Sequence, residues 1–195
     1  MVGGRIVKRL VVYSGSSYGA SHAYQQSAIQ LGKELAARNI TLVYGGASVG
    51  LMGVLADTVL RQGGQVIGVI PSFLEEREIA HPYVTELYTV ETMHERKEKM
   101  ASLADGFIAL PGGIGTLEEF FEVFTWAQLG IHKKPCGILN INDYYAPLQH
   151  MLDHMVNEQF LHEKHRSIPF VDTDPKQLLD RFKTYQQSPV RTYTK

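Results

Sequence analysis

Apolar residues along the chain follow two spacings in turn. Short apolar runs at residues 9–13 (RLVVY), 41–44, 66–70, 87–90, 106–110 and 136–140 have strand length and are rich in Val, Ile, Leu and Tyr. Between them apolar positions recur every three or four residues, the period of a helix with one buried face. Tyr24, Ala28, Leu31 and Leu35 mark a first helix, and Leu51, Leu55 and Val59 a second, which Gly63-Gly64 stops. After Pro71 ends the third run, the chain reads as irregular up to 87–90. Thr92 and Glu95 have capping-box spacing ahead of a helix carrying Met93, Lys97, Met100 and Ala104. A long helix follows the loop after the fifth run, with Leu117, Phe120, Phe121, Phe124 and Ala127 as a wide apolar stripe. The pattern then predicts a helix from Asp143 using Leu148, Met151, Leu152 and Met155. A last helix opens at Asp174-Pro175, a cap residue followed by proline at the first helical position.

Strands alternating with helices predict the α/β class, a doubly wound parallel sheet with helices on both faces. There is no linker, tandem repeat or low-complexity segment, so residues 1–195 read as a single domain. A chain of that length can bury roughly 70% of its unfolded surface. In such sheets ligands bind beyond the carboxyl ends of the strands. Three runs end there in small or Gly-rich loops: Ser14-Gly15-Ser16-Ser17, Gly45-Gly46-Ala47-Ser48 and Pro111-Gly112-Gly113-Ile114-Gly115-Thr116.

Charge narrows the partners. The 19 Lys+Arg nearly balance the 20 Asp+Glu, for a net charge of -1, with no block of like charge. That argues against nucleic acid as a partner. No run approaches the ~20 apolar residues that span a bilayer, so no membrane partner is expected. The single Cys136 cannot form an intrachain disulfide, and the cytoplasm is the expected compartment.

The third loop carries the most chemistry. Gly112-Gly113-Ile114-Gly115-Thr116 joins a strand to a helix, so free backbone N–H groups and the positive end of the helix dipole form an anion site. No Gly-Lys-Ser/Thr follows, as a Walker loop needs, and Glu118 stands where Gly-x-Gly-x-x-Gly has its third glycine. A mononucleotide is therefore favoured over NAD or ATP hydrolysis. Glu119 has two readings. With Thr116 it has capping-box spacing, yet helical side chains lean toward the N-terminus, which would aim the carboxylate at the sugar of a bound nucleotide. Arg96 and Lys97, from the preceding helix, could offset the charge of a phosphate, with Arg96 forking onto its oxygens; the alternative is a solvated pair bridged by Glu95 and Glu98. His150 and His154 stand four apart on a helix, but Met151 occupies the place of the glutamate in a His-Glu-x-x-His site, so they read as a solvated face and no metal is expected.

Three segments together resemble the LONELY GUY family of cytokinin riboside 5′-monophosphate phosphoribohydrolases. They are Pro111-Gly112-Gly113-Ile114-Gly115-Thr116-Leu117-Glu118-Glu119, Met93-His94-Glu95-Arg96-Lys97, and Tyr44-Gly45-Gly46-Ala47-Ser48-Val49-Gly50-Leu51-Met52-Gly53. The resemblance implies a Rossmann-like fold, a homodimer, and hydrolysis of the N-glycosidic bond of a nucleoside 5′-monophosphate without a cofactor. It implies Arg96 and Glu119 as the catalytic pair. It implies substrate contacts from Glu78, Lys97, Gly113, Ile114, Gly115, Thr116, Leu117, Glu118, Thr125 and the loop at Gly46. The departures are Ala47, where many members have glycine, and Ser14, where cysteine is common. The family also carries the label lysine decarboxylase, for which Lys97 would be the only lysine in a plausible site. The rival readings are a non-catalytic nucleotide or cofactor carrier of the same fold and a broader nucleotide nucleosidase.

Overall fold

The computed structural model describes residues 6–78 and 80–186. Seven strands form one sheet, β1 (Arg9–Tyr13), β2 (Thr41–Tyr44), β3 (Val66–Pro71), β4 (Glu86–Val90), β5 (Gly106–Ala109), β6 (Cys136–Leu139) and β7 (Pro169–Asp172). Their order is β4-β3-β2-β1-β5-β6-β7, and every neighbouring pair is parallel. The doubly wound α/β expectation is met. The helices are α1 (His22–Ala37), α2 (Gly50–Arg61), α3 (Ser72–Glu78), α4 (Met93–Leu103), α5 (Ile114–Gln128), α6 (Ala146–Asn157), α7 (Glu163–Arg166) and α8 (Pro175–Lys183).

Alternation along the strands splits the core between the two faces. Leu10 and Val12 of β1 pack with Leu31 and Leu35 of α1, Leu55 and Val59 of α2, and Leu178 and Phe182 of α8. Val11 and Tyr13 face the other way, with Met100 of α4, Phe120 and Phe124 of α5, and Leu152 of α6. β1 is thus buried on both faces, which gives the site built at its end a rigid base.

Differences from the pattern have local causes. The stretch after Pro71 contains α3, whose Phe73-Leu74-Glu75-Glu76 sequence is too short to show a helical period. β7, at the sheet edge, begins with a proline, a residue that the first position of a strand and an edge both tolerate. The helix expected from Asp143 begins at Ala146 instead, because residues 141–143 form a 3₁₀ turn in which Asn142 and Asp143 have φ of 57° and 55°. Asn140 stabilises that turn by accepting from Tyr145 N–H at 2.7 Å. Asp174 caps α8 as expected, accepting from Gln177 N–H at 3.0 Å.

Candidate active site

The strand order reverses between β1 and β5, and a crevice opens there at the carboxyl ends of the strands. A pocket of about 360 Å³ fills it. Ser14, Gly15 and Ser16 line it after β1, Met52 from α2, Leu74 from α3, and Met93 and Arg96 from α4. The β5 side is Gly113, Ile114, Gly115 and Thr116, followed by Glu118 and Glu119 on α5.

The loop after β5 supplies an uncapped helix end. Gly113 is the N-cap of α5, in extended conformation with φ -86° and ψ -158°, and no side chain caps the helix there. The first in-helix donor is Leu117, whose N–H reaches the Gly113 carbonyl at 3.2 Å. The preceding N–H groups and the dipole are therefore available to an anion in the pocket. Gly112 is required for this geometry, since a β-carbon there would overlap the Thr116 hydroxyl. Two consecutive tyrosines hold the loop from behind: Tyr144 donates to the Gly112 carbonyl and Tyr145 to the Leu110 carbonyl, each at 2.6 Å. Neither stood out in the sequence, because they lie in an irregular turn and contact backbone rather than a motif.

The capping-box reading of Thr116 and Glu119 does not hold. Thr116 lies inside the helix, three residues past the N-cap, and is 5% exposed. Glu119 sits on the pocket wall with its Oε1 3.9 Å from Nη1 of Arg96; the Arg96 side chain is buried and that of Glu119 is 12% exposed. That separation is an ion pair too long for a direct hydrogen bond. Arg96 is fixed from below: Nε donates to the Val69 carbonyl at 3.1 Å and Nη2 to the Gly45 carbonyl at 3.2 Å. These bonds hold its Nη1 on the Glu119 side and stand in place of the two-nitrogen fork onto phosphate expected from the sequence. The Glu119 carboxylate also acts on the Tyr13 phenol, which burial first, and then this negative charge, push well above its ordinary range.

The remaining expected residues lie elsewhere. Lys97 does not line the pocket; its Nζ is 2.5 Å from Glu118 and 3.1 Å from Glu122 across the α4–α5 contact. Burial lowers its affinity for a proton, but the hydrogen bonds to both carboxylates outweigh that and leave the ammonium above its ordinary range. Leu117 packs against the α5-side core. Thr125 is exposed further along α5, with its hydroxyl on the Phe121 carbonyl at 2.7 Å. Gly46, at φ 83°, accepts from His81 N–H at 2.9 Å and does not line the pocket. Glu78 ends α3, and its side chain lies outside the described residues. Of the three Gly-rich loops, the one after β2 serves packing: Gly45 makes room for Arg96, and Leu51 N–H at the start of α2 donates to the Gly15 carbonyl at 3.0 Å. His150 and His154 are exposed on α6, and among the described residues no group of three or more His, Cys, Asp or Glu could hold a metal.

An all-parallel sheet with an uncapped helix N-terminus and a carboxylate–guanidinium pair at its switch point defines a Rossmann-like α/β protein. Comparison with known proteins narrows this. Residues 52–182 match the family described as "Possible lysine decarboxylase". The chain is 52% identical over 178 residues to "Probable cytokinin riboside 5′-monophosphate phosphoribohydrolase LOGL2" of Oryza sativa subsp. japonica, covering 91% of this chain and 73% of the relative. It is 50% identical over 179 residues to the cytokinin riboside 5′-monophosphate phosphoribohydrolase LOG7 of Arabidopsis thaliana, covering 92% of this chain and 82% of the relative. The chain belongs to this LONELY GUY family. The molybdenum cofactor binding protein of Rippkaea orientalis shares the fold, with a TM-score of 0.69 over 92% of this chain and 98% of that one, at 20% identity.

The family description invites a test of the site for pyridoxal phosphate. That cofactor needs a lysine for its Schiff base, and no lysine is among the described residues that line the pocket. Lys97, the nearest in sequence to the site residues, is held as an ammonium by two carboxylates. These residues do not fit the cofactor.

Proposed function

We propose that this protein hydrolyses the N-glycosidic bond of adenosine 5′-monophosphates, with or without a substituent on N6, to a free base and ribose 5-phosphate. Its curated relatives at about half identity are named for this reaction on cytokinin riboside 5′-monophosphates. The observation that carries the reading is the Glu119–Arg96 pair, 3.9 Å apart on the wall of a pocket whose floor is a helix N-terminus. The N–H groups at the start of α5 bind the 5′-phosphate. The sugar then lies along the first turn of α5, beside Glu119. As the C1′–N bond breaks, positive charge grows on the ribose ring, and the Glu119 carboxylate stabilises it while orienting the water that attacks C1′. The water oxygen bonds to C1′ and its proton leaves with the base. Arg96 fixes Glu119 and balances its charge, and Met52, Leu74 and Met93 form an apolar wall for the base.

Incubation with AMP, isopentenyl-AMP, GMP, CMP and adenosine, followed by chromatography, tests this. Free base and ribose 5-phosphate are expected from the adenosine monophosphates, and much less base from adenosine, which has no phosphate for the loop. Tight nucleotide binding with no base released would support the carrier reading instead, which shared fold alone leaves open.

The same reading includes a homodimer joined through α5. Thr125, Leu129 and Ile131 are exposed along or just beyond the helix that carries Glu119. A measurement of size in dilute solution checks it. Among the described residues no helix is long and apolar enough to cross a membrane. The one cysteine, Cys136, is buried with its thiol pushed up to about 12, which suits a reducing compartment, the cytoplasm.

A further inference from the structure

Among the described residues, Ser14, Ser27 and Tyr44 carry buried hydroxyl oxygens with no hydrogen-bond partner. Only Ser14 of these lines the pocket with Glu119 and Arg96. A buried, unsatisfied hydroxyl is unfavourable on its own, so its presence in a binding pocket calls for a partner that arrives with the ligand. Its position is well determined. Leu110 N–H donates to the Tyr13 carbonyl at 2.9 Å and Gly15 N–H to the Pro111 carbonyl at 3.1 Å, so the backbone on both sides of Ser14 is tied to the phosphate loop. Ser14 itself is 9% exposed.

We infer that the Ser14 hydroxyl is a substrate-contacting group that binds the ribose diol of the nucleotide. This rests on the hydrolase reading above and names a recognition residue within it. The phosphate is served by backbone donors at the start of α5, on the β5 wall of the pocket. The sugar must lie between that loop and Glu119, which brings it over the end of β1. A serine hydroxyl both donates and accepts, as does a sugar hydroxyl, so the two can satisfy each other in either direction. A backbone N–H could not do this, and neither could the sulfur of Met52 or Met93, a weak acceptor with no proton to give. The contact would favour ribose over deoxyribose, because a deoxy sugar would leave Ser14 buried and unpaired.

The test measures binding of ribose 5-phosphate, 2-deoxyribose 5-phosphate and 3-deoxyribose 5-phosphate to the wild type and to Ser14→Ala by calorimetry, beside adenine release from AMP and the melting temperature. The wild type should prefer ribose 5-phosphate over at least one deoxy sugar by roughly tenfold. Ser14→Ala should lose that preference by weakening ribose 5-phosphate alone, with a melting temperature equal to or above that of the wild type. A preference that survives in Ser14→Ala, equal weakening toward all three ligands, or a lowered melting temperature overturns the proposal. These outcomes with wild-type adenine release intact overturn the Ser14 contact alone, whereas absence of adenine release from the wild type overturns the hydrolase reading beneath it.

Discussion

Arg96 Nη2 donates to the Gly45 carbonyl at 3.2 Å, in space that a β-carbon at position 45 would occupy. The glycine after β2 is thus part of the site although it does not line the pocket. It lets a guanidinium pass beneath the strand ends and present Nη1 to Glu119.

Gly45→Ala should therefore displace the far end of Arg96, a flexible group that can move without unpacking the core. A shift of about 1 Å in a catalytic group can cost roughly a hundredfold in rate. We expect that order of loss in kcat for AMP, with a melting temperature within a few degrees of the wild type. An active Gly45→Ala enzyme would show that Arg96 need not be held there.

Lys97 braces α5, the helix that carries Glu119. It is tied to Glu118 and Glu122, and it follows Arg96 directly in the chain, while Glu119 follows Glu118. Lys97→Met should lower kcat about tenfold while KM changes little, and Lys97→Arg should restore part of the loss. A substrate-binding lysine would instead raise KM. The pH dependence has a definite sign. The folded state holds this ammonium above the ordinary lysine value of 10.5, so its contribution to stability is fully present below that value and is lost as pH rises through the higher folded value. The difference in melting temperature between wild type and Lys97→Met should stay constant between about pH 6 and 9 and close only on the strongly alkaline side.

Tyr144 donates to the Gly112 carbonyl at 2.6 Å from outside the loop. Tyr144→Phe removes one neutral hydrogen bond, worth about 1 kcal/mol. The expected result is a roughly fivefold weaker binding of ribose 5-phosphate with kcat nearly unchanged. Unaltered binding would show that the loop holds its shape without this bond.

Much of this arrangement was legible in the amino-acid pattern, and the exceptions are physical. Six of the strands were readable because each is a compact apolar run, and the anion loop because Gly112, Gly113 and Gly115 fall between a strand and a helix. β7 was hidden by its leading proline and closing aspartate, which leave only Phe170 and Val171 as an apolar run, and α3 by having too few residues to repeat a helical period. Glu119 and Arg96 were recognisable as a pair from their motifs. Lys97 has partners that the sequence did not show, because a cation one residue from Arg96 points to a different side of the helix, toward Glu118 and Glu122 of α5. Gly45, Tyr144 and Ser14 act through backbone carbonyls, free space or an unpaired hydroxyl, none of which has a sequence signature.

The family description as lysine decarboxylase is open to a direct check. The protein mixed with pyridoxal phosphate and treated with borohydride should incorporate no stoichiometric label, and its visible absorbance should match that of the free cofactor. A stable Schiff-base band, lost in Lys97→Met, would require a different account of α4.

In the proposed mechanism Glu119 performs the chemistry while the start of α5 holds the phosphate. Glu119→Gln preserves size and burial but removes the negative charge that faces the sugar. The decisive measurement is adenine release from AMP by this variant, together with its affinity for ribose 5-phosphate. A loss of about a thousandfold in kcat is expected, with binding kept within a few-fold. Adenine release at the wild-type rate would show that the chemistry does not depend on the Glu119 charge.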